Sequence, residues 1–351
     1  MHFFLSGYYG YGNAGDEAVL AAMLEALQSQ KPAARFTVAS GNPAATKARF
    51  GSEYSLEAVP RQGPRELAAA IKSCDVFISG GGSLLQDVTS LRNIVYYTSL
   101  MHFARLSRKP VAVYAQGIGP LLRPLSQKLA RAAVQSARVI TVRDEDSKAL
   151  LQRIGVRRNI EVTADPVWNL TPASDGVAST RNGTAKTFAL SLRPWPGYEF
   201  DPARSSTIRD GLRALKQQRD AHLRFVPMQA SSDTSIGELL READDETIHT
   251  ADLHPRAIMA ACGNCDVMIA MRLHALIFAA AQGVPCVAVN YDPKVEALAK
   301  LIGAPLLQNL SESELARLPE AVQTAQPLRR ERLEQLQSSA RRSAELVSQL
   351  A

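Results

Sequence analysis

The chain has 351 residues and a mass of 38.0 kDa, well above the roughly 150 residues of one average domain, so we expect two domains. Hydrophobic residues make up 46% and charged residues 21%, which excludes disordered, collagen-like and disulfide-scaffold proteins. The net charge of +6 favours anionic partners such as phosphorylated substrates or an acidic membrane surface, but it is too small to indicate nucleic acid.

The termini and the cysteines bear on localisation. The first residues, Met1 to Phe4, have neither a basic segment nor a cleavable apolar one, and no apolar run reaches the roughly 18 to 20 residues that span a bilayer. The 4 cysteines are too few and too scattered for a disulfide framework. We therefore expect a cytoplasmic protein.

Apolar runs alternate with helix-period stretches along the chain, which is typical of βα units on parallel sheets. The predicted strands are Phe3–Leu5, Arg35–Ala39, Val76–Ser79, Val111–Tyr114, Val139–Val142, Thr187–Leu192, His222–Val226, Val267–Ala270 and Cys286–Val289. Residues 171–186 are rich in Ser, Thr, Ala and Gly and predict a linker. We predict an α/β fold with two Rossmann-like, doubly wound domains, residues 1–170 and 187–351, facing a ligand cleft.

The first loop, Gly10 to Gly15, matches G-x-G-x-x-G between a short strand and a helix. Two features argue against a dinucleotide: the loop is long, and no acidic residue follows the second strand at Ala39. We expect no cofactor. Asn13 and Asp16 are predicted to face a ligand from the helix start, with a simple N-cap as the alternative for Asp16.

A run of glycines, Gly80 to Gly82, and Ser83 follow the strand that ends at Ser79. We predict that a helix containing Asp87 comes next, so that backbone N–H groups at its start face an anion or a sugar. A purely structural turn is the alternative.

Basic residues follow several strands of the second half. Arg272 and His274 come directly after Val267–Ala270, where a helix begins, and its dipole and free N–H groups favour anions. Arg193 follows the predicted strand Thr187–Leu192, and Lys294 lies at an equivalent edge after Cys286–Val289. We expect these groups to converge on one rim; a surface arginine and a core histidine are the alternative.

The sequence does not support a metal site, Ser-His-Asp hydrolysis or P-loop chemistry. The single C-x-x-C of Cys262 and Cys265 has no second ligand pair, so we interpret it as structural and expect no metal. Neither G-x-S-x-G nor a Walker A sequence occurs.

Taken together, these motifs resemble the polysaccharide pyruvyl transferase family, and within it the branch that adds pyruvate ketals to cell-wall polymers anchoring bacterial S-layers. The matching stretches span nearly the whole chain: Gly7–Gly10, Asn13–Glu17, Ser79–Asp87, Gln116–Pro120, Val142–Glu145, Ala164–Pro166, Ser191–Pro194, Arg272–His274 and Tyr291–Lys294.

The resemblance implies the two-domain architecture of GT-B glycosyltransferases, with phosphoenolpyruvate (PEP) as donor on the C-terminal domain and the acceptor on the N-terminal domain. It implies that PEP is bound by Arg193 and by the turn Arg272, Leu273 and His274. The implied acceptor is an amino sugar, N-acetylmannosamine, in a lipid-linked disaccharide precursor, and phosphate is released. We expect weak peripheral contact with the inner membrane face and leave the oligomeric state open.

The implied chemistry is consistent with the residues. PEP carries a carboxylate and a phosphate and needs clustered cations such as Arg193, Arg272 and Lys294. An acid must protonate C3 of PEP and a base must activate a sugar hydroxyl. His274 is the candidate acid or phosphate partner, and Asp16 and Asp87 are candidates for the base or for orienting the acceptor sugar.

The residues predicted to bind the acceptor are Asn13, Asp16, Gly81, Gly82 and Ser83. Two other functions stay open at this point. One is a GT-B glycosyltransferase that uses a nucleotide sugar, and the other is a non-catalytic sugar- or anion-binding protein.

Overall fold

A computed structural model describes residues 1–88, 90–174, 185–195 and 200–350. The chain divides into two compact units. The first comprises Met1–Tyr11, Asp16–Leu170 and Glu334–Ala351, and the second comprises Gly12–Gly15 and Thr171–Leu333.

The first unit is a parallel α/β structure. Its strands are β1 (His2–Tyr9), β2 (Arg35–Ser40), β3 (Leu56–Pro60), β4 (Val76–Ser79), β5 (Gly82–Leu85), β6 (Val111–Ile118), β7 (Val139–Val142) and β8 (Glu161–Val162). Its helices up to that point are α1 (Ala14–Gln30), α2 (Pro43–Phe50), α3 (Pro64–Ser73), α4 (Leu91–Leu106), α5 (Pro124–Gln135) and α6 (Glu145–Arg153), and a 3-10 turn follows at Pro166–Asn169.

The order of strands in this sheet is β3-β2-β1-β4-β6-β7-β8, with β5 paired to β6, and every pairing is parallel. The strand order reverses between β1 and β4. Ligands of doubly wound sheets bind beyond the carboxyl ends of the strands at such a reversal. The residues that follow β1 and β4 therefore stand where a ligand is expected.

The second unit repeats this plan. Its strands are β9 (Lys186–Ser191), β10 (Ala221–Phe225), β11 (Glu246–Thr247), β12 (Val267–Ala270), β13 (Cys286–Val289) and β14 (Leu306–Leu307). Its helices are α7 (Pro202–Arg219), α8 (Ala230–Leu240), α9 (Pro255–Gly263), α10 (Leu273–Ala281), α11 (Pro293–Ile302) and α12 (Glu312–Thr324). The strand order is β11-β10-β9-β12-β13-β14, again parallel, and it reverses between β9 and β12.

The two sheets form where the sequence is most apolar. In β4, β12 and β13 every residue is buried, because helices cover both faces of a parallel sheet. Each of the strands predicted from the sequence is present. The chain therefore has an α/β fold with two Rossmann-like domains.

The final helix, α13 (Arg330–Ser348), departs from the predicted domain division. Residues 334–350 pack with the first unit, whereas the sequence placed them in the second domain. Buried Ser343 explains the placement, because its hydroxyl donates to Thr141 Oγ1 at 2.9 Å and lies 3.0 Å from Thr163 Oγ1. The side-chain amide of Asn169 also donates to the carbonyl of Gln337 at 2.8 Å.

Two loops also bear on the sequence predictions. The glycine run at 80–82 leads into β5, and α4 begins only at Leu91, so the prediction of a helix starting after the glycines was wrong. Between Leu170 and Lys186, where a linker was predicted, residues 175–184 lie outside the described residues. Across the described part of the chain, the structure contains no helix with the length and hydrophobicity that a membrane span requires.

Candidate active site

The carboxyl edge of the second sheet collects the predicted cations. Arg193 follows β9, Arg272 follows β12 and Lys294 follows β13, and these three strands are neighbours. Parallel strands end at the same edge of a sheet. The occurrence of a basic residue after each of several strands therefore already indicated, from the sequence, that these residues gather at one edge.

Arg272 lies in a buried ion pair that the sequence did not predict. Its Nε donates to Asp233 Oδ2 at 2.9 Å and its Nη2 donates to Asp233 Oδ1 at 2.5 Å. Both side chains are buried, with 8% of the Arg272 side chain and none of the Asp233 side chain exposed. The planar edge of the guanidinium that we expected to bind PEP is therefore used within the protein.

Asp233 also organises the loop before α8. Its Oδ2 accepts the backbone N–H groups of Met228 at 3.2 Å and Gln229 at 3.0 Å, and its Oδ1 accepts the hydroxyl of Ser232 at 2.8 Å. The pair thus ties the loops after β10 and β12 together. These contacts indicate a positioning role for Arg272, and its direct anchoring of PEP stays a prediction.

Arg193 is held in a different way, by aromatic faces. Its guanidinium carbon lies 5.2 Å from the ring centroid of Trp195 and 5.1 Å from that of Tyr291. The two rings contact each other edge to face with centroids 4.7 Å apart, and Arg193 Nη1 donates to the Tyr291 hydroxyl at 3.3 Å. Aromatic faces orient a guanidinium without neutralising its charge, so Arg193 keeps its capacity for an anion.

Lys294 approaches the same aromatic ring. Its ammonium nitrogen lies 5.8 Å from the Tyr291 centroid and 3.3 Å from Asp292 Oδ2. Asp292 is the N-cap of α11 and accepts the backbone N–H of Lys294 at 3.1 Å. Arg193 and Lys294 thus converge on Tyr291.

His274 lies in the first turn of α10, directly after Leu273, which begins the helix. It packs against the backbone of Gly15 so closely that a Cβ at Gly15 would lie 2.1 Å from His274 Nδ1. Gly15 therefore makes room for the imidazole. The sequence singled out Gly15 only as part of a glycine motif.

Asn13, predicted to bind the acceptor on the first domain, belongs by its contacts to the second unit. It forms an antiparallel bridge with Gln229, and the N–H of Ala14 donates to the carbonyl of Met228 at 2.7 Å. Its side-chain oxygen accepts the N–H of Gly15 at 3.0 Å. Asn13 thus shapes the loop beside His274.

The glycine run after β4 is explained mainly by packing. A Cβ at Gly80 would lie 2.2 Å from the Tyr9 hydroxyl, and one at Gly81 would lie 2.6 Å from Val19 Cγ1. Gly82 differs, because it has a φ of +89° and a Cβ there would meet only Asp16 Oδ1, at 3.0 Å. Of the predicted acceptor glycines, Gly82 is the one that leaves space beside a carboxylate.

Asp16 lies half-buried near the start of α1. Burial is the main cause that raises the pKa of Tyr8 and of Tyr9, and the negative charge of Asp16 raises both pKa values further. Asp16 is therefore within electrostatic reach of Tyr8 and Tyr9 and lies beside Gly82.

Ser83 is positioned by Arg143, a residue to which the sequence assigned no role. Arg143 Nη2 donates to Ser83 Oγ at 3.0 Å, and Nη1 donates to Asp165 Oδ2 at 3.3 Å. Gly117 makes room for the guanidinium, because a Cβ there would lie 2.8 Å from it. The available signal was that Arg143, Asp165 and Gly117 all fall within the family-like motifs.

Asp87 has a structural environment. The side chain is buried, and its two oxygens accept the backbone N–H groups of Leu122 and Arg123, each at 2.8 Å. Burial raises the pKa of Asp87, but these hydrogen bonds outweigh it, and the pKa falls below its usual value. A carboxylate held in this way is a poor base, so we assign Asp87 to holding the loop before α5.

One group of acidic residues, away from these sites, has metal-like geometry among the described residues: Glu242, Asp244 and Asp245. The ammonium group of Lys216 lies 3.1, 2.7 and 2.8 Å from these carboxylates, respectively. Lys216, together with Arg213 at 2.8 Å from Glu242, offsets part of their charge in the folded protein.

Comparison with known proteins gives a family match. The family model described as "Polysaccharide pyruvyl transferase" matches residues 13–293. The chain is also 21% identical over 260 residues to "Amylovoran biosynthesis protein AmsJ" of Erwinia amylovora, a match covering 67% of this chain and 61% of that protein.

Solved structures share the fold at low identity. A putative UDP-N-acetylglucosamine 2-epimerase from Listeria monocytogenes has a TM-score of 0.66 and 10% identity, covering 97% of this chain and 94% of that one. The UDP-GlcNAc 2-epimerase from Methanocaldococcus jannaschii has a TM-score of 0.64 and 14% identity, covering 99% of each chain. Anabaena Alr3699/HepE in complex with UDP-glucose has a TM-score of 0.59 and 14% identity, covering 100% of this chain and 96% of that one.

Proposed function

This chain belongs to the polysaccharide pyruvyl transferase family, and we propose that it transfers pyruvate from PEP to a sugar as a ketal, releasing phosphate. The observation that carries the proposal is the pair Arg193 and Lys294, two cations gathered on Tyr291 at the carboxyl edge of a Rossmann-like sheet. PEP carries a carboxylate and a phosphate, and two such cations match its two anionic groups.

The proposed acceptor is N-acetylmannosamine in a lipid-linked cell-wall precursor, as in the branch that modifies S-layer-anchoring polymers. One hydroxyl adds to C2 of PEP and gives its proton to a base, while an acid delivers a proton to C3 and so converts the methylene into a methyl group. The second hydroxyl then displaces phosphate from C2, and its proton leaves with the phosphate or with a base. The products are the cyclic ketal and inorganic phosphate.

The residues divide these tasks. Arg193 and Lys294 bind PEP, while Arg272 and Leu273 hold the turn from which His274 projects. His274 acts as the acid or stabilises the departing phosphate, helped by the start of α10. In the first unit, Asp16 beside Gly82 and Ser83 orients the acceptor hydroxyls.

A phosphate-release assay with PEP and a panel of lipid-linked amino-sugar acceptors tests the function. Release that requires both PEP and the N-acetylmannosamine acceptor is the expected result. A rise in melting temperature with UDP-sugars and none with PEP would instead favour a glycosyltransferase. Binding of PEP and of every acceptor without release would favour a non-catalytic protein.

Two variants test the role of His274. His274→Ala should lower turnover by roughly 10² to 10⁴ while much of the PEP affinity remains, since a proton donor acts mainly in the transition state. Gly15→Ala should lower turnover in the same way, because the new Cβ would lie 2.1 Å from His274 Nδ1 and displace the ring. Ser29→Ala, at an exposed position of α1, is the control. Near-normal turnover of His274→Ala would eliminate the acid role.

A lipid-linked acceptor requires contact with the inner membrane face, which we propose is weak and peripheral. The loop held by Asp87 exposes 55% of Val88 and 71% of Leu122, and Leu125 at the start of α5 is 52% exposed. Exposed Arg123 adjoins them, and each basic residue near an anionic surface contributes about 1 kcal/mol. Sedimentation with anionic vesicles should fall at high salt and with Leu122→Asp; equal sedimentation with neutral vesicles would contradict the proposal.

A further inference from the structure

A second cluster at the carboxyl edge of the first sheet takes no part in the chemistry described above. Arg61 follows β3, and its guanidinium carbon is surrounded by four tyrosine rings. The distances to the ring centroids are 4.4 Å for Tyr96, 4.9 Å for Tyr97, 5.6 Å for Tyr11 and 5.8 Å for Tyr8.

The charge of Arg61 has no anionic partner in the part of the chain that the structure describes, where its side-chain contacts are with tyrosines. Each aromatic face contributes roughly 0.5 to 2 kcal/mol to a cation, and it fixes the plane of the guanidinium. The half-buried guanidinium of Arg61 is oriented by the rings, but its charge is not neutralised. It is suited to binding an anion, because several N–H donors of its planar fork remain available.

Tyr8 and Tyr11 supply a flat aromatic surface beside this charge. Their rings are stacked, with centroids 4.4 Å apart and planes inclined by 13°, and Tyr11 is 36% exposed. Gly41 allows the arrangement, because a Cβ there would lie 2.6 Å from the Tyr11 ring. The C–H face of a pyranose packs on such a surface, so the combination of ring and cation suits a sugar that carries a negative charge.

Tyr97 links the cluster to the acceptor region. Its hydroxyl is buried and has no hydrogen-bond partner among the described residues, which is costly unless a ligand or water supplies one. Burial raises the pKa of Tyr97, Arg61 lowers it and Asp16 raises it further. Asp16 is therefore within electrostatic reach of the same cluster.

We propose that Arg61, together with Tyr8, Tyr11 and Tyr97, forms a subsite for an anionic group, a phosphate or a carboxylate, carried by the acceptor saccharide. Arg61 binds the anion while Tyr11 packs against a sugar ring. The proposal rests on the proposed function only in identifying this saccharide as the pyruvyl acceptor.

Titration calorimetry on the full chain without PEP tests the subsite. The probes are N-acetylglucosamine 1-phosphate, glucuronic acid, neutral N-acetylglucosamine and inorganic phosphate. We expect at least one anionic sugar to bind 10-fold or more tightly than the neutral sugar and than inorganic phosphate. The tighter of the two anionic sugars identifies the phosphate or the carboxylate as the natural group.

Arg61→Met should abolish this preference and leave the affinity for neutral N-acetylglucosamine unchanged. The matched control is Arg35→Met, which removes the same charge from an exposed position at the amino end of neighbouring β2. Because anions can also bind at Arg193, the effect must persist in an Arg193→Ala background.

Unchanged affinities in Arg61→Met, or equal binding of charged and neutral sugars by the wild type, would overturn the subsite. If Arg61→Met does not fold, Tyr11→Ala decides, because loss of the exposed ring should weaken binding of the anionic sugars several-fold, and unchanged binding would refute the proposal. No step measures catalysis, so a negative result leaves the pyruvyl transfer untouched, and failure of phosphate release leaves the subsite intact.

Discussion

The loops after β9 and β12 follow neighbouring strands of the second sheet, and each carries an arginine, yet the two arginines have opposite environments. Arg272 is buried and paired with Asp233 through two donors. Arg193 is only half-buried and lies against the rings of Trp195 and Tyr291. A buried carboxylate makes an arginine part of the scaffold, whereas aromatic faces leave it available for a ligand.

The first unit shows the same contrast between two aspartates. Both oxygens of Asp87 are engaged by backbone N–H groups, and the side chain is buried. Asp16 is half-buried and faces the space that Gly82 leaves open. In both units, residue type and position after a strand identify the edge of the sheet, and the local partners decide which group is held as part of the scaffold.

The largest expected effect comes from separating Arg272 from Asp233. Asp233→Ala leaves the arginine buried without its anion, and we expect the free energy of unfolding to fall by about 3–5 kcal/mol. Urea unfolding curves measure this. Glu296→Ala is the control, because its pair with Lys300 is exposed and should change stability by less than about 1 kcal/mol.

Arg272→Lys tests the same ion pair while keeping a positive charge at this position. Lysine cannot make the two-donor contact with Asp233, so stability should fall together with any PEP affinity. Native stability combined with lost PEP affinity would show instead that Arg272 binds the donor directly.

Arg193→Ala should weaken PEP binding and leave the stability of the fold nearly unchanged. Loss of charged hydrogen bonds to PEP costs about 1.5–3 kcal/mol, equivalent to roughly 10- to 150-fold in affinity, with little change in stability. Titration calorimetry with PEP and thermal melting measure the two quantities. Arg317→Ala, in the same unit and 58% exposed in its side chain, should leave both unchanged. Unaltered PEP affinity in Arg193→Ala would remove Arg193 from the donor site.

The smallest effect concerns Asp87. Asp87→Asn weakens two charge-assisted hydrogen bonds and should cost about 1–2 kcal/mol at neutral pH. Because the folded-state pKa is below its usual value, this contribution is present above the unfolded pKa, near 3.8, and is lost as the pH falls through the folded pKa. The stability difference between wild type and variant should therefore shrink at acid pH.

Urea unfolding at pH 7, 5 and 3.5 tests this dependence, with exposed Asp252→Asn as the control. A variant with wild-type stability but impaired turnover would return Asp87 to the list of candidate bases.

Several features of the protein were predictable from the sequence. Buried parallel strands are continuous apolar runs, so most strands of both sheets, including β4, β12 and β13, were recognisable from local hydrophobicity. Five strands were not predicted. β3 is an edge strand with one buried residue, β5 lies where a helix was expected, and β8, β11 and β14 are two-residue strands that carry no hydrophobic period.

The partners of the charged groups required the tertiary structure. Asp233 and Arg272 are 39 residues apart, and no local pattern distinguishes an arginine that is neutralised from one that is available. The glycines at 80 and 81 look like a ligand loop in sequence, but the nearby Tyr9 and Val19 account for them. Composition and periodicity thus determined the fold class, most of the strands and the sheet edge where the basic residues gather, whereas the partners of those charged residues arise from long-range packing.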